Sequence, residues 1–452
     1  MFKTLKNAWK VQEIQNKILF TLLIILLYRV GSAIPVPYVQ PDILSQFNQA
    51  YGGTIFSYMS LLSGGAMAQA TLFALSVSPY ITSSIVIQLL TVAFPDSLGK
   101  LAKDGEEGQK KIKKYTRYIT VGIALVTAYG YTALLGNGTG SSSWLNPEHI
   151  TWSGMWATNG FEGTLNTLVI ISSYVAGAAI IMWLAELIDA KGIGNGISMI
   201  LFFNIISRGP ALVESLWRMV TSNNIIVGIL LGILSIAITM GMVILVVWVT
   251  HSERRIPIQY AKRVVGRKMY GGQGTHLPIK LNMTGVMPII FASSIVSVPA
   301  TIATFFATDS GFRTWVTRWL GQDSVLYFVI YVILIVAFAY FYILISFNPV
   351  EVANNIKNNG GSVPGIRTGK PTADYITKIL NRITLIGAFF LIVVAGLPMI
   401  INLINVHVIK GVTFQGLAFG GSSLLIVIGV AIETFRDIEA QITLRHYKGF
   451  LD

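Results

Sequence analysis

Few residues in this chain could do chemistry, and their placing argues against catalysis. The acids keep clear of the middles of the long apolar runs: Glu186 and Asp189 close one run, Glu433 and Asp437 another. Ion coupling across a membrane usually needs ionisable groups inside such runs. No glycine-rich loop ends in Gly-Lys-Ser/Thr to cradle a nucleotide, and neither HExxH nor GxSxG occurs. Cysteine is absent, which removes disulfides, thiolate metal sites and cysteine nucleophiles. An enzyme is not expected, no metal or cofactor is implied, and any work must be powered from outside.

Two other groups of polar residues stand out. The first is a set of hydroxyls inside apolar sequence. "TLFALSVSPYITSSIVIQLL" carries Ser76, Ser78, Thr82, Ser83, Ser84 and Gln88 around Pro79, and "GVMPIIFASSIVSVPATIAT" carries Ser293, Ser294, Ser297 and Thr301. Small residues let helices approach closely, so packing is one reading; a wet wall or a seam that can part is the other. The second group is cationic. "ERRIPIQYAKR" (Glu253 to Arg263) holds four cations and one anion between two apolar runs. Pro257, Gly272 and Pro364 point to shaped basic loops rather than charge alone, with Pro257 and its two flanking isoleucines shaping the tip of the first.

The elements that must position these groups are membrane spans. Hydrophobic residues make up 53% of the 452 and charged residues 12%, about half the charged share of a soluble domain. At about 20 apolar residues per crossing, ten spans are expected, near 18–34, 71–94, 118–135, 166–187, 197–215, 225–249, 286–307, 325–345, 381–406 and 416–434. The first has no cleavage motif and reads as a retained helix. Twenty-seven of the 33 Lys and Arg fall in loops on one side, five on the other, and Arg29 within the first span. That bias places both termini in the cytoplasm. Arg29, near the outer end of its span, is expected to snorkel outward, and the run "KKIKKYTR" to be a topology signal.

Loop lengths repeat. Loops 1/2 and 6/7 are long, loops 3/4 and 8/9 are long, and loops 4/5 and 9/10 are short. Five spans therefore recur as five more. Five is odd, so the second copy is inverted, a plan found in transport proteins. The expected fold is an all-α polytopic membrane protein with ten transmembrane helices in two inverted five-helix halves, residues 1–215 and 216–452. Before span two, "YGGTIFSYMSLLSGGAMAQA" is too short to cross. A short helix between the Gly52-Gly53 and Gly64-Gly65 hinges fits it, either re-entrant and buried in protein or lying at the interface.

"ERRIPIQYAKR", "THLPIKLNMTGVMPIIFASSI", "KGIGNGISMI", the stretch from "FNPVEVANNIK" to "VPGIRTGKPTADYI", and "GGSSLLIVIGVAIETFRDIEAQ" together resemble the bacterial SecY family, over essentially the whole chain to about Arg445. The resemblance implies a protein-conducting channel in the bacterial plasma membrane, with two halves closing like a clamshell. It implies a pore ring of Val77, Ile81, Ile197, Leu201, Ile290 and Ile426. Val77 and Leu201 depart conservatively from the family's isoleucines, and the first two pairs share a helical face at i, i+4. A plug would hold Thr54, Ile55, Phe56, Met59, Leu61, Leu62, Gly64 and Gly65. A lateral gate would use Ser83, Ser84, Gln88, Ser293, Ser294 and Ser297 to release hydrophobic segments sideways. Arg254, Arg255, Lys262 and Arg263 in loop 6/7, and Arg367 in loop 8/9, would dock a SecA motor ATPase and the translating ribosome; the family more often has proline where Thr368 stands. SecE-type and SecG-type subunits, precursors with signal sequences, and anionic lipids complete the implied partners.

Overall fold

The apolar runs become helices, but proline and glycine trim several of them. A computed structural model describes residues 9, 11–40, 59–60, 62–94, 96, 98–138, 143–153, 156–157, 160–210, 213–214, 217, 221, 225–260, 263–265, 268–270, 275–303, 306, 310–321, 324–407 and 421–448. Helix α1 is Gln12–Gly31, α2 Ser78–Ala93, α3 Leu98–Lys103, α4 Gly105–Asn137, α5 Gly160–Lys191, α6 Gly196–Ile206 and α7 Ile225–His251. Then follow α8 Met287–Ala303, α9 Gly311–Trp319, α10 Val325–Ser346, α11 Pro349–Asn358, α12 Lys370–His407 and α13 Gly421–Lys448. Helices α1, α4, α5, α7, α10 and α12 are long and apolar enough to cross a bilayer; α2, α6 and α8 are shorter apolar helices. With α13, whose second half is charged, they occupy all ten expected spans.

Several boundaries differ from expectation, among them the start of α12, which at Lys370 comes well before the expected 381. The apolar pattern starts span two at residue 71, but Thr71 makes a β-bridge with Pro35, 72–77 are turns and α2 starts only at Ser78, with Pro79 in its first turn. Proline fits there because its missing N–H needs no partner. Span five stops as α6 at Ile206, where Ser207 and Arg208 form a turn. "KKIKKYTR" is helical, part of an α4 that runs on well beyond its apolar stretch. Helix α13 likewise continues past 434 to Lys448.

Packing repeats between the halves. In the first, α2 packs on α4, α4 on α5, α1 on α5 and α5 on α6; in the second, α8 packs on α10, α10 on α12, α7 on α12 and α12 on α13. By span number both sets read two on three, three on four, one on four, and four on five. Arg117 on α4 holds Glu186 on α5 with two hydrogen bonds, 2.8 and 2.7 Å. Between the halves α6 meets α13, and α2 and α4 meet α8. One apolar cluster, from Ile24 and Tyr28 on α1 to Val430 on α13, runs through both halves.

The strands lie in the loops. Strand β1 (Trp152–Ser153) pairs antiparallel with β2 (Trp156–Ala157). Strand β3 (Glu253–Tyr260) is followed by the hairpin β4 (Arg263–Val265) and β5 (Lys268–Tyr270), then β6 (Thr275–Lys280), with β7 (Gly361–Ser362) after α11. The order β6-β3-β7 makes a three-stranded antiparallel sheet.

Candidate functional site

The six aliphatics of the expected ring sit on four helices that pair across the halves, α2 with α8 and α6 with α13. Val77 is the N-cap of α2 and Ile81 lies one turn on. Helix α6 carries Ile197 and Leu201, α8 carries Ile290 and α13 carries Ile426. Val77, Ile81, Leu201 and Ile426 are buried in the main cluster, and Ile197 and Ile290 pack against it half-buried. The start of α6 is fixed twice. The Asn195 side chain accepts from the Ser198 N–H at 3.1 Å, an N-cap. Asp189, at the end of α5, accepts from the Gly196 N–H at 2.7 Å. That sets where Ile197 and Leu201 fall along the junction.

Segment 59–77 is tied down beside this junction. Thr54, Ile55, Phe56 and Leu61 of the expected plug, and Gly52-Gly53, lie outside the described residues; Met59, Leu62, Gly64 and Gly65 lie within them. Met59 and Leu62 pack half-buried on the main cluster. Gly64 and Gly65 have φ of +67° and +93°, so the hinge read at this end needs glycine. Ala70 and Ser76 also take positive φ, +47° and +51°, at a cost on the order of 1–3 kcal/mol each. The segment is therefore held by its surroundings. Asn204 on α6 donates through Nδ2 to the Leu62 carbonyl and to the Tyr28 hydroxyl, both at 2.9 Å. Ser76 Oγ donates to the same Leu62 carbonyl at 3.4 Å, and the Tyr131 hydroxyl donates to the Met67 carbonyl. Arg208 Nη1 reaches Ser60 Oγ at 3.4 Å.

Arg29 corrects an expectation. It does not snorkel: its guanidinium turns inward and donates to the Phe203 carbonyl on α6 at 2.7 Å. A Cβ at Gly64 would lie 2.8 Å from Arg29 Nη1 and 3.1 Å from Asn204 Oδ1. Tyr28, Arg29 and Asn204 thus cradle the 62–64 backbone, a role the residue pattern does not assign to them. A lone amide within "ISMILFFNII" is the available signal, because a buried amide demands partners. Asn204 Oδ1 itself has no hydrogen-bond partner among the described residues.

The gate candidates occupy α2 and α8, which are in contact. Ser83 is buried and donates to the Pro79 carbonyl at 2.7 Å, and Gln88 donates to Ser84 Oγ at 3.4 Å. Ser293 and Ser294 both donate to the Ile290 carbonyl, at 2.9 and 2.8 Å, and Ser297 to the Ser294 carbonyl at 2.6 Å. Each of these bonds stays within its own helix. The hydroxyls are satisfied without reaching across.

At the other end, β3 joins the two long basic loops into one sheet. It pairs with β6 from Glu253↔Lys280 to Ile258↔Thr275, and with β7 at Gln259↔Ser362 and Tyr260↔Gly361. Alternation with period two buries Ile256 and Ile258 in a second apolar cluster with Ile279, Ile356, Val363 and Ile376. The isoleucines therefore do not shape a tip. Pro257 is exposed mid-strand, at a point β7 does not cover, where a missing N–H breaks no ladder. Strands β4 and β5, between β3 and β6 in the chain, pair with each other in a separate hairpin. Arg254 and Arg255 are exposed near the base of β3, Arg255 bonded to Glu253 at 2.7 Å. Arg263 opens β4, and Lys262 lies outside the described residues. Arg367 is exposed in the turn before α12, its carbonyl accepting from Thr372 Oγ1 at 2.8 Å. The Lys280 ammonium is held below the usual lysine range, by desolvation first and Arg436 second, with Glu433 and Glu253 opposing.

Two repeated helical halves, an aliphatic junction between them, a tethered segment beside that junction and a basic sheet at one end define a polytopic α-helical membrane protein of the two-half channel type. The chain belongs to the SecY family: the SecY family model matches residues 71–435. The protein translocase subunit SecY of Streptomyces galbus is 41% identical over 454 residues, covering 100% of each chain. Two solved structures share the fold. "The structure of a protein conducting channel" matches with a TM-score of 0.64 at 18% identity, covering 94% of this chain and 92% of that one. "Sec61 in the Canine ribosome-channel complex from the endoplasmic reticulum" matches with a TM-score of 0.61 at 17% identity, again covering 94% and 92%.

Proposed function

We propose that this chain is the central protein-conducting channel of a Sec translocon, passing unfolded secretory polypeptides across the bacterial plasma membrane and releasing hydrophobic segments sideways. What supports this is the placing of Val77, Ile81, Ile197, Leu201, Ile290 and Ile426 on helices that pair across the halves, α2 with α8 and α6 with α13, all in or against the main apolar cluster, in a chain similar along its whole length to translocase subunits. A collar of branched aliphatics resists wetting and can flex around an extended chain without leaving room for ions. Residues 52–70 act as the plug, held shut by Asn204, Arg29 and Tyr28. The halves 1–215 and 216–452 swing apart along α2 and α8, and a signal sequence leaves through that seam into lipid, driven by about 25 cal/mol per Å² of buried apolar area.

Both termini and the β3 sheet face the cytoplasm, following the loop cations. The sheet is the handle: Arg254, Arg255, Lys262, Arg263 and Arg367 present cations to ribosomal RNA, whose affinity for them falls with salt, or to a SecA motor. Because β3 pairs with both β6 and β7, force applied to either loop reaches both. SecE-type and SecG-type subunits complete the complex, and anionic lipids suit the basic face. The chain itself supplies no catalytic step.

The test is reconstitution in vesicles with SecE-type and SecG-type subunits. With SecA and ATP, a secretory precursor becomes protected from protease, and no small solute accumulates under an ion gradient. Gradient-driven solute uptake without precursor movement would sink the proposal.

A further inference from the structure

Helix α9 carries an exposed aromatic face that the channel reading does not use. It connects α8, the seam helix, to α10 at the end of the molecule opposite the β3 sheet. Ser310 starts it as an N-cap, its Oγ accepting from the Arg313 N–H at 3.2 Å. At about 100° per residue, its nine residues sort into three flanks. Arg313 and Val316 are buried within one arc of about 60°, against the protein. Phe312, Trp315 and Trp319 fall in the adjoining arc, and are 42, 51 and 47% exposed. Thr314 and Arg318, both exposed, lie roughly opposite the buried flank.

One flank is thus protein-facing, one aromatic and one polar. A helix lying flat in a bilayer interface, with protein at its side, needs this arrangement: aromatic rings at headgroup level, and a cation with a hydroxyl toward water. A water-facing helix gains nothing from exposing two indoles and a phenyl ring. The helices that α9 joins also carry exposed apolar side chains toward their α9 ends, Val298 and Ile302 on α8 and Val325 and Val329 on α10. The connection to the seam helix is direct. Arg313 Nη1 donates to the Phe306 carbonyl, just past α8, at 3.3 Å, and the Phe306 and Phe312 rings are 5.1 Å apart.

We propose that α9 is an interfacial anchor that docks through Phe312, Trp315 and Trp319 on the lipid headgroup layer of the leaflet opposite the β3 sheet, and so holds the far end of seam helix α8 at a fixed depth. The ligand surface is the headgroup–acyl boundary of the bilayer, with Arg318 toward lipid phosphates. This rests on the membrane reading of the chain, and the test separates the two.

Because the chain has no cysteine, single cysteines can be labelled with an environment-sensitive fluorophore. Trp315→Cys, Trp319→Cys, Thr314→Cys and, as a depth control on α10, Ile333→Cys are reconstituted with the partner subunits in vesicles. Lipids brominated near the headgroup, lipids brominated deep in the acyl chain, and aqueous iodide serve as quenchers. With an aromatic face about 5–10 Å below the headgroups, labels at 315 and 319 are quenched several-fold more by shallow than by deep bromines. The 314 label responds to iodide, and the 333 label to deep bromines. If 333 behaves so while 315 and 319 respond to iodide, α9 faces water and the anchor is wrong. If 315 and 319 are shielded from all three, a partner protein covers them and the anchor is equally wrong. If 333 also ignores bromolipid, the membrane reading fails first.

Discussion

Segment 59–77 and the α2/α8 seam lie side by side, yet they are held by different means. The segment is held by donors from other elements, Asn204 from α6 and Tyr131 from α4, and Arg29 of α1 lies close against Gly64. The seam helices meet, but their hydroxyls turn back on their own carbonyls. The difference is one between a latch and a sliding contact. A buried hydrogen bond lost without replacement costs about 1–3 kcal/mol, so a segment held by several leaves its place all at once. Helices that satisfy their own polar groups can part over a range of widths, with no polar penalty at any of them. On the proposed reading, a barrier that must stay ion-tight needs the first property, and an exit that must fit many hydrophobic segments needs the second.

The largest effect is expected where the two regions share the aliphatic junction. Ile81→Gly with Ile290→Gly removes branched side chains from both seam helices; losing one such core side chain typically costs about 2–5 kcal/mol. Resting ion conductance in planar bilayers should rise to a continuous leak, and a tight resting channel would show that these two residues do not form the seal. Next comes the latch alone. Asn204→Leu keeps bulk but takes the Asn204 donor from the Tyr28 hydroxyl and leaves the Leu62 carbonyl with only the 3.4 Å bond from Ser76. At about 1–3 kcal/mol per unsatisfied group, the released state should gain tenfold or more, seen as frequent brief openings rather than a steady leak. Unchanged gating would reduce the latch to ordinary packing.

Those residues also mark where the sequence is readable. The ten spans are, because a bilayer imposes long apolar runs on any chain that crosses it, and the recurrence of loop lengths matches the recurrence of packing. The start of α2 is not. Hydropathy is blind to the turns at 72–77, and only Pro79 hints that regular helix begins late. Arg29 misleads because snorkelling is the default for a cation near a span end; its acceptor, the Phe203 carbonyl, belongs to another helix 174 residues on. The β3 sheet is legible in part. Ile256 and Ile258 flank Pro257 with the alternation of a strand, but four cations draw attention to charge instead. Pairing with β7 depends on contacts about 100 residues away, which no local pattern reports. Of the ring, spacing alone supports only the i, i+4 pairs; Ile290 and Ile426 rest on family likeness, because the apolar cluster they share runs through both halves.

A smaller change probes how tightly the latch is fitted. Gly64→Ala keeps every hydrogen-bonding group but places a methyl at φ +67°, a conformation costing an L-residue roughly 1 kcal/mol. The new carbon would also meet Arg29 Nη1 at 2.8 Å. A retreat of Arg29 would disturb its 2.7 Å bond to Phe203. Openings should be more frequent than in the parent and rarer than in Asn204→Leu. Arg29→Ala in the same chain should relieve the crowding, so that the double variant opens less than the two single changes combined. Additive behaviour would mean that Arg29 and Gly64 do not press on each other.

The smallest effect is expected at the seam, and its smallness is the point. Ser294→Ala removes a hydroxyl whose donor serves the Ile290 carbonyl four residues back at 2.8 Å. That carbonyl also receives Ser293, and alanine is the better helix former. The change should stay within about 0.5 kcal/mol, leaving precursor transport and signal-sequence crosslinking near parental rates. Ser83→Ala should behave alike, because its bond to Pro79 is equally internal. If hydroxyls instead zipped α2 to α8, each loss would strand a partner on the facing helix at about 1–3 kcal/mol, and the gate would loosen measurably. A clear gain in resting conductance from either serine variant would therefore erase the distinction between latch and sliding contact.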